Sequence, residues 1–253
     1  MPNQQVGLAV VIPVYNESEV IEEVIRSWGD LLRGYLPADT NFRITVINDG
    51  SKDKTGEILD GLRTKLPYLQ VVHQKNGGHG NAVLNGYRKA LEDKPEWVFQ
   101  VDSDNQFSPT DFPKLWERRN ESRFILGYRQ KRYDEANRLL ITRIVRMVNL
   151  TLFGVYIVDS NIPYRLIKGD YLPHLIASLP KDPFAPNIFL AVLAKLDGND
   201  LMSIPVTHKE RETGQVSIIK WKLLKVCMRT VKELTNFSLS LKSRRKAVRQ
   251  ATS

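Results

Sequence analysis

A regular alternation of short apolar runs with amphipathic stretches governs the first half of this 253-residue chain. Residues 8–13, Leu-Ala-Val-Val-Ile-Pro, are continuously apolar, as expected of a parallel strand covered on both faces. A helix pattern follows from about Ser18 to Arg33, and a second strand reads as Phe42–Asn48, closing on Asp49-Gly50-Ser51. The cycle then repeats: a helix with Ile58, Leu59 and Leu62, a strand at Leu69–His73, a helix at Ala82–Leu91, and a strand at Trp97–Val101. A helix from near Pro109 and a strand at Arg123–Leu126 complete the series, which stops near residue 130. This spacing predicts an α/β fold built on an open, mostly parallel sheet with right-handed crossovers.

Open sheets of this kind place ligands in the crevice at the carboxyl ends of their strands. Three predicted strand ends put polar groups there: Pro13-Val14-Tyr15-Asn16-Glu17, Asn48-Asp49-Gly50-Ser51, and Asp102-Ser103-Asp104. Tyr15 could face a planar base, and Asp49 could accept from a ring N–H or a ribose hydroxyl. Asp53 could equally cap the helix that follows. Asp102 and Asp104 are hard oxygen donors one residue apart, suited to Mg2+ or Mn2+ held against a phosphorylated ligand; an Asp-rich turn with Asn105 would need no metal.

The segment Asn76-Gly77-Gly78-His79-Gly80-Asn81 precedes a helix, where glycines permit close backbone approach and free N–H groups face an anion. Its spacing matches neither a dinucleotide fingerprint nor a phosphate loop ending Gly-Lys-Ser/Thr. Arg129, Lys131, Arg132 and Arg138 could grip phosphate through forked, charge-assisted pairs. No Ser stands in a Gly-x-Ser-x-Gly elbow, and the four His have no metal-ligand spacing.

Charge is uneven. Residues 201–253 carry twelve Lys or Arg against three Glu, equal to the formal +9 of the whole chain. Such a region could meet nucleic acid, anionic lipid or only water, and its aromatic residues, Trp221 and Phe237, are too few for a base-stacking platform. Two stretches, 138–157 and 218–234, read as amphipathic helices. In the first, Arg143, Arg146 and Asn149 form one polar stripe on an otherwise apolar helix, whose remaining surface is expected mainly in the core. The single cysteine, Cys227, excludes an internal disulfide framework. The N-terminus does not read as a signal peptide, and no run reaches the length of a spanning helix.

Taken together, Val11–Glu17, Val46–Thr55, the Gly-rich Asn76–Asn81 and Asp102-Ser103-Asp104-Asn105-Gln106 resemble the inverting family 2 glycosyltransferases of the GT-A fold. The likeness is strongest to the branch that loads sugars onto polyprenyl phosphates, such as dolichol-phosphate mannose synthases. It covers residues 8–129 well and Asp159–Arg165 and His208–Ser217 more loosely. The resemblance implies a GT-A domain over 1–217, with 218–253 as a basic amphipathic extension. It implies a nucleotide pocket from Pro13, Tyr15, Glu17, Asp49, Gly78 and Asp102, with Mg2+ or Mn2+ on Asp104 aided by Asp102. Gln106 would lie beside the sugar, Arg129 and Arg132 at the acceptor phosphate, and Arg211 on a loop closing over the diphosphate. The implied partners are a nucleotide-sugar, a polyprenyl phosphate, and an anionic membrane or membrane protein, at the cytoplasmic face. Nucleic acid is not among them.

Three departures stand out. Ser103 is the middle of the Asp-x-Asp element and Asn105 replaces the more usual Gly or Leu after it, so the element does not specify the donor. Asn187 stands where many members carry a carboxylate. The C-terminal spanning helices of many relatives are missing, so membrane access would rest on the amphipathic stretches, the basic tail or a partner.

Overall fold

The computed structural model describes the backbone of residues 6–130, 136–198, 200–209 and 220–251, with side chains except those of 136–140, 220–224, 242 and 244–251. Seven strands form one sheet: β1 (Leu8–Val14), β2 (Phe42–Asn48), β3 (Leu69–His73), β4 (Trp97–Val101), β5 (Phe124–Arg129), β6 (Tyr164–Lys168) and β7 (Met202–Val206). Their order is β3-β2-β1-β4-β6-β5-β7. All neighbours run parallel except β6, which lies antiparallel between β4 and β5. The sheet is mixed and largely parallel, as the resemblance to GT-A enzymes implies.

Every residue of β1 is buried, because the strand is paired on both sides and covered on both faces. The register shows which helix covers which face. Val10 pairs with Phe99 and Val11 with Gln100, so each couple shares a face. Trp28 of α1 (Ile21–Tyr35) packs its ring 5.2 Å from Phe99. On the other face, Gly86 of α3 (His79–Leu91) sits so tightly on Val11 that no Cβ fits, and Tyr87 donates its hydroxyl to Gln100 Oε1 at 2.9 Å. Helix α2 (Thr55–Arg63) follows β2, and α4 (Phe112–Trp116), entered through a short 3-10 turn at Pro109–Asp111, adds Phe112 to the aromatic core beside Phe99.

Beyond residue 130 the chain departs from strict alternation. Helix α5 (Ala136–Phe153) leads into β6, α6 (Leu172–Ala177) and α7 (Pro186–Leu196), then β7 and the long α8 (Lys220–Ala251). The sequence pattern misses β6 and β7 altogether. Helix α8 lies against α5 and α7: Ser238 Oγ donates to Leu152 O at 3.1 Å, and Phe237 meets Phe189 edge-on at 5.2 Å. The predicted 218–234 stretch is thus the start of a much longer helix. The inward face of α5 also differs from expectation. Asn149 is fully buried and donates to Ser160 Oγ at 3.2 Å, while Arg146 donates to Val158 O at 2.6 Å. Two members of the polar stripe therefore point into the protein.

Candidate active site

Because β1, β2, β4 and β5 share one direction and β6 runs against them, the ends of the first four and the start of β6 meet at one edge. Parallel β7 ends there too, and Phe107 bridges His208 just beyond it. The antiparallel insertion of β6 carries the Asp159–Pro163 approach to the same edge as Asp102 and Asp104.

The loops after β1 and β2 are stitched together. Asn16 Oδ1 accepts from Lys52 N at 2.7 Å, Glu17 N donates to Thr55 Oγ1 at 2.9 Å, and Ser18 N donates to Asp53 Oδ2 at 3.1 Å. Asp53 also accepts Thr55 N at the first residue of α2. Its carboxyl stays below the usual range: burial pushes it up, but the bonds from Thr55 and Ser18 outweigh that. Pro13 is buried in β1, Tyr15 is exposed, and Glu17 is half-buried beside them. Asp49 is buried, and its carboxylate accepts from Gln74 Nε2 at 2.7 Å, Gly77 N at 2.8 Å and Gly78 N at 2.9 Å. It thus fixes the Gly-rich loop, a role that spacing alone does not reveal. Gly78 holds φ 86° and ψ 158° as it enters α3, a conformation open essentially to glycine.

A cleft of about 1240 Å³ opens at this edge. The structure brings Gly78, Asp102, Asp104, Gln106 and Arg129 onto its walls, while Pro13, Tyr15, Glu17 and Asp49 stand at the adjoining ends of β1 and β2. Arg132 and Arg211 lie outside the described residues, as does the side chain of Arg138. Gln106 Nε2 donates to Lys209 O at 3.3 Å, and Lys209 N returns a bond to Gln106 O at 2.9 Å, so the segment after β7 is tied to the Asp-x-Asp loop.

The paired carboxylates differ. Asp104 Oδ1 accepts Gln106 N at 3.3 Å in a tight turn. Asp102 has its carboxyl pushed up to about 6, chiefly by burial, with His79 opposing the rise and Asp104 adding to it. His79 Nε2 lies 3.8 Å from Asp102 Oδ1. Among the described residues no three His, Cys, Asp or Glu side chains converge as a ligand set. Two carboxylates at a strand end, with charge that a cation would relieve, fit an ion completed by ligand phosphates and water rather than an all-protein cage.

On the far wall, Arg129 Nη1 donates to Asp159 Oδ2 at 3.2 Å, and the buried Arg129 Nε has no hydrogen-bond partner among the described residues. Asn187, in the first turn of α7, is buried and lines the cleft, and its Oδ1 likewise has no partner among the described residues. Arg165 is wholly buried and bonds the carbonyls of Ser160, Ile162 and Asn187, which joins the β6 approach to α7. Sequence reasoning missed Arg229 of α8, which reaches the cleft wall from a helix that pattern alone assigns to the periphery.

The glycosyl transferase family 2 model matches residues 9–165, more than half of the chain. The chain belongs to glycosyl transferase family 2. It is 28% identical over 239 residues to the undecaprenyl-phosphate 4-deoxy-4-formamido-L-arabinose transferase of Pseudomonas paraeruginosa, spanning 93% of this chain and 67% of that protein. The protein of the same name from Pseudomonas fluorescens is 25% identical over the same shares. Among solved structures, glucosyl-3-phosphoglycerate synthase from Mycobacterium tuberculosis, in complex with Mn2+, UDP and phosphoglyceric acid, superposes with a TM-score of 0.62 at 18% identity. That match covers 92% of this chain and 77% of the synthase. S. aureus TarS in complex with UDP gives 0.56 at 19% identity, over 88% and 64%. This family 2 member is therefore a glycosyltransferase with the GT-A fold.

Proposed function

We propose that this glycosyltransferase moves one sugar from a nucleotide-sugar to the phosphate of a polyprenyl phosphate, inverting the anomeric centre. The observation that carries the reading is the acceptor wall of the cleft. There the carboxylate of Asp159 is paired with Arg129, and Asn187 presents an amide. A hydroxyl acceptor needs a base to take its proton, whereas a phosphate oxygen is already ionised and needs none. Arg129 lines the cleft, and its guanidinium, whose buried Nε has no partner among the described residues, is a group suited to that phosphate. The names of the Pseudomonas relatives, with undecaprenyl phosphate as acceptor, support the same chemistry.

In this reading the nucleotide lies over the ends of β1 and β2, with Tyr15 and Glu17 beside the base and the Asp49-held glycine loop under the diphosphate. The UDP in both structural matches supports a nucleotide donor. Asp104 and Asp102 would hold Mg2+ or Mn2+, which when bound neutralises charge on the departing diphosphate. Gln106 orients the sugar, and Arg129 and Asn187 align the acceptor opposite the leaving group, so that alignment supplies much of the rate.

A second reading keeps the donor side and takes a saccharide or protein hydroxyl as acceptor. Asp159 favours it, since a carboxylate on the cleft wall could serve as base if Arg129 turned toward a ligand. The phosphoglyceric acid in the M. tuberculosis synthase shows that the fold itself does not prescribe a lipid acceptor.

The test is incubation of the purified protein with a panel of nucleotide-sugars and either short polyprenyl phosphates or saccharide acceptors, with Mg2+ or Mn2+. The expected product is a polyprenyl-phosphate sugar, lost in Asp104→Asn while the fold is retained. Glycosylation of hydroxyl acceptors alone would overturn the lipid-phosphate reading.

A further inference from the structure

Large apolar side chains are exposed in an uneven pattern. Of the six that stand out among the described residues, Tyr15 is in the cleft region and the other five lie on or beside two adjacent helices. They are Met147, 62% exposed, and Leu150, 50%, on α5, Tyr156 just after it, 55%, and Met228, 56%, and Leu239, 58%, on α8. Helix α5 is apolar on both sides: Val145, Val148 and Leu152 pack on the core, where Asn149 and Arg146 also turn inward to Ser160 and Val158, while Met147 and Leu150 face out. Arg143, one turn before Met147, is exposed beside them. On α8 the positions 225, 228, 232 and 239 recur at helical spacing on one side, alternating exposed Lys225 and Lys232 with Met228 and Leu239.

We infer that the outward faces of α5 and α8 form a docking surface for a phospholipid bilayer bearing anionic headgroups. Charge selects this occupant, because residues 201–253 carry the whole formal charge of the chain, and exposed cations are interleaved with the apolar side chains. Apolar residues entering the headgroup boundary with Lys and Arg against anionic lipid describe an interfacial helix. Among the described residues no helix is long and apolar enough to cross a membrane.

The same two helices border the active site. Ile141 and Thr142 of α5 and Val226 and Arg229 of α8 line the cleft. A recess of about 100 Å³ between them, walled by Val145, Ile157, Ile188 and Cys227, shares Ile141, Phe184 and Val226 with it. Docking on these faces sets the cleft at the lipid surface, and the apolar side of the recess gives a small foothold for the first part of the chain of an acceptor drawn from it. That last step rests on the polyprenyl-phosphate reading; the docking itself does not.

The experiment is flotation of the full chain on vesicles free of polyprenyl phosphate, made of phosphatidylcholine alone or mixed with phosphatidylglycerol. The variant Met147→Glu, Leu150→Glu, Met228→Glu, Leu239→Glu is run beside it, its fold checked by circular dichroism. The wild-type protein is expected to float with the mixed vesicles and not the neutral ones, and the variant to lose about tenfold in bound fraction. Its transfer to a short, water-soluble polyprenyl phosphate should stay within about twofold of wild type, since the four side chains lie outside the cleft. Equal flotation on both vesicles, no flotation, or variant binding like wild type would overturn the proposal. So would a wild-type dimer in sedimentation that the variant reduces to a monomer, which would give the face to a second copy. Flotation without transfer to any polyprenyl phosphate would leave docking standing and remove the acceptor reading alone.

Discussion

Glu233 Oε2 accepts the backbone N–H of Phe184 at 2.9 Å, while its Oε1 takes Arg229 Nε at 2.9 Å. The Arg229 guanidinium lies 4.7 Å over the Phe184 ring. One carboxylate thereby clamps α8 to the segment that leads into α7 and carries the cleft wall. Replacing Glu233 with Ala leaves a half-buried amide to find water, at a cost of about 1–3 kcal/mol for a bond to a charged acceptor. The expected outcome is faster hydrogen exchange at Phe184 and a lower midpoint in urea. Protection at Phe184 equal to wild type would show that the clamp is not holding the loop.

Gly80 makes a second joint between the halves of the cleft. A Cβ added there would stand 2.5 Å from Phe184 O and 2.8 Å from Pro186 Cδ, so backbone and a rigid ring oppose it rather than a side chain that can swing away. Gly80→Ala is expected to push the start of α3 from the Pro183–Pro186 segment, costing about 1–3 kcal/mol as overpacking does. Transfer should fall more steeply than stability, because Gly78, His79 and Asn187 all lie on the displaced walls. Thermal unfolding and initial rates on the same preparation read both effects.

Asp102 gives the molecule a pH dependence of known sign. Burial raises its carboxyl to about 6, so the folded chain holds this proton more firmly than the unfolded one. The stability it contributes is complete below about pH 4 and is lost as pH rises through about 6, the reverse of a carboxylate in a favourable ion pair. Asp102→Asn cannot titrate. In chelator, the wild-type protein should lose up to about 2 kcal/mol against this variant between about pH 4 and 6.5, with no further change above. A gap that is flat across that window would refute the assignment.

The first half of the fold is legible because its signals are local. An uninterrupted apolar run marks β1 and one broken only by Gln100 marks β4, and Asp-Gly-Ser and Asp-Ser-Asp punctuate the strand ends, so Asp102, Asp104 and Gly78 can be placed on one edge from pattern alone. Strand β6 escapes because a buried cation is its second residue: Arg165 is satisfied by the carbonyls of Ser160, Ile162 and Asn187, which no periodicity records. The polar stripe of α5 is visible, but its direction is not. Arg146 and Asn149 turn inward since their partners, Val158 O and Ser160 Oγ, arrive from a later turn of chain. Asp49 shows the same limit at the site. Its position at the end of β2 is readable, yet the bonds to Gly77 and Gly78 form only once β2 and β3 pair and bring residue 76 back over residue 50.

The Arg129–Asp159 pair is the most consequential of these distant contacts. Both side chains are largely buried, with exposures of 15% and 5%, and each compensates part of the other's charge, with Arg165 also facing Asp159 and Asp102 also facing Arg129. Removing one partner withdraws the nearest compensating charge, which costs up to about 3–5 kcal/mol, whereas removing both withdraws the two charges together. Asp159→Asn is therefore expected to lower stability substantially, and Arg129→Met to do the same, while the double variant recovers part of the loss. Kinetics separate this structural role from acceptor binding. If Arg129 Nε contacts the acceptor phosphate, Arg129→Met and the double variant should both raise the acceptor KM at least about tenfold, the scale of one lost charged hydrogen bond. The donor KM should remain near wild type. Stability rescued in the double variant with acceptor KM restored as well would confine Arg129 to a scaffolding role.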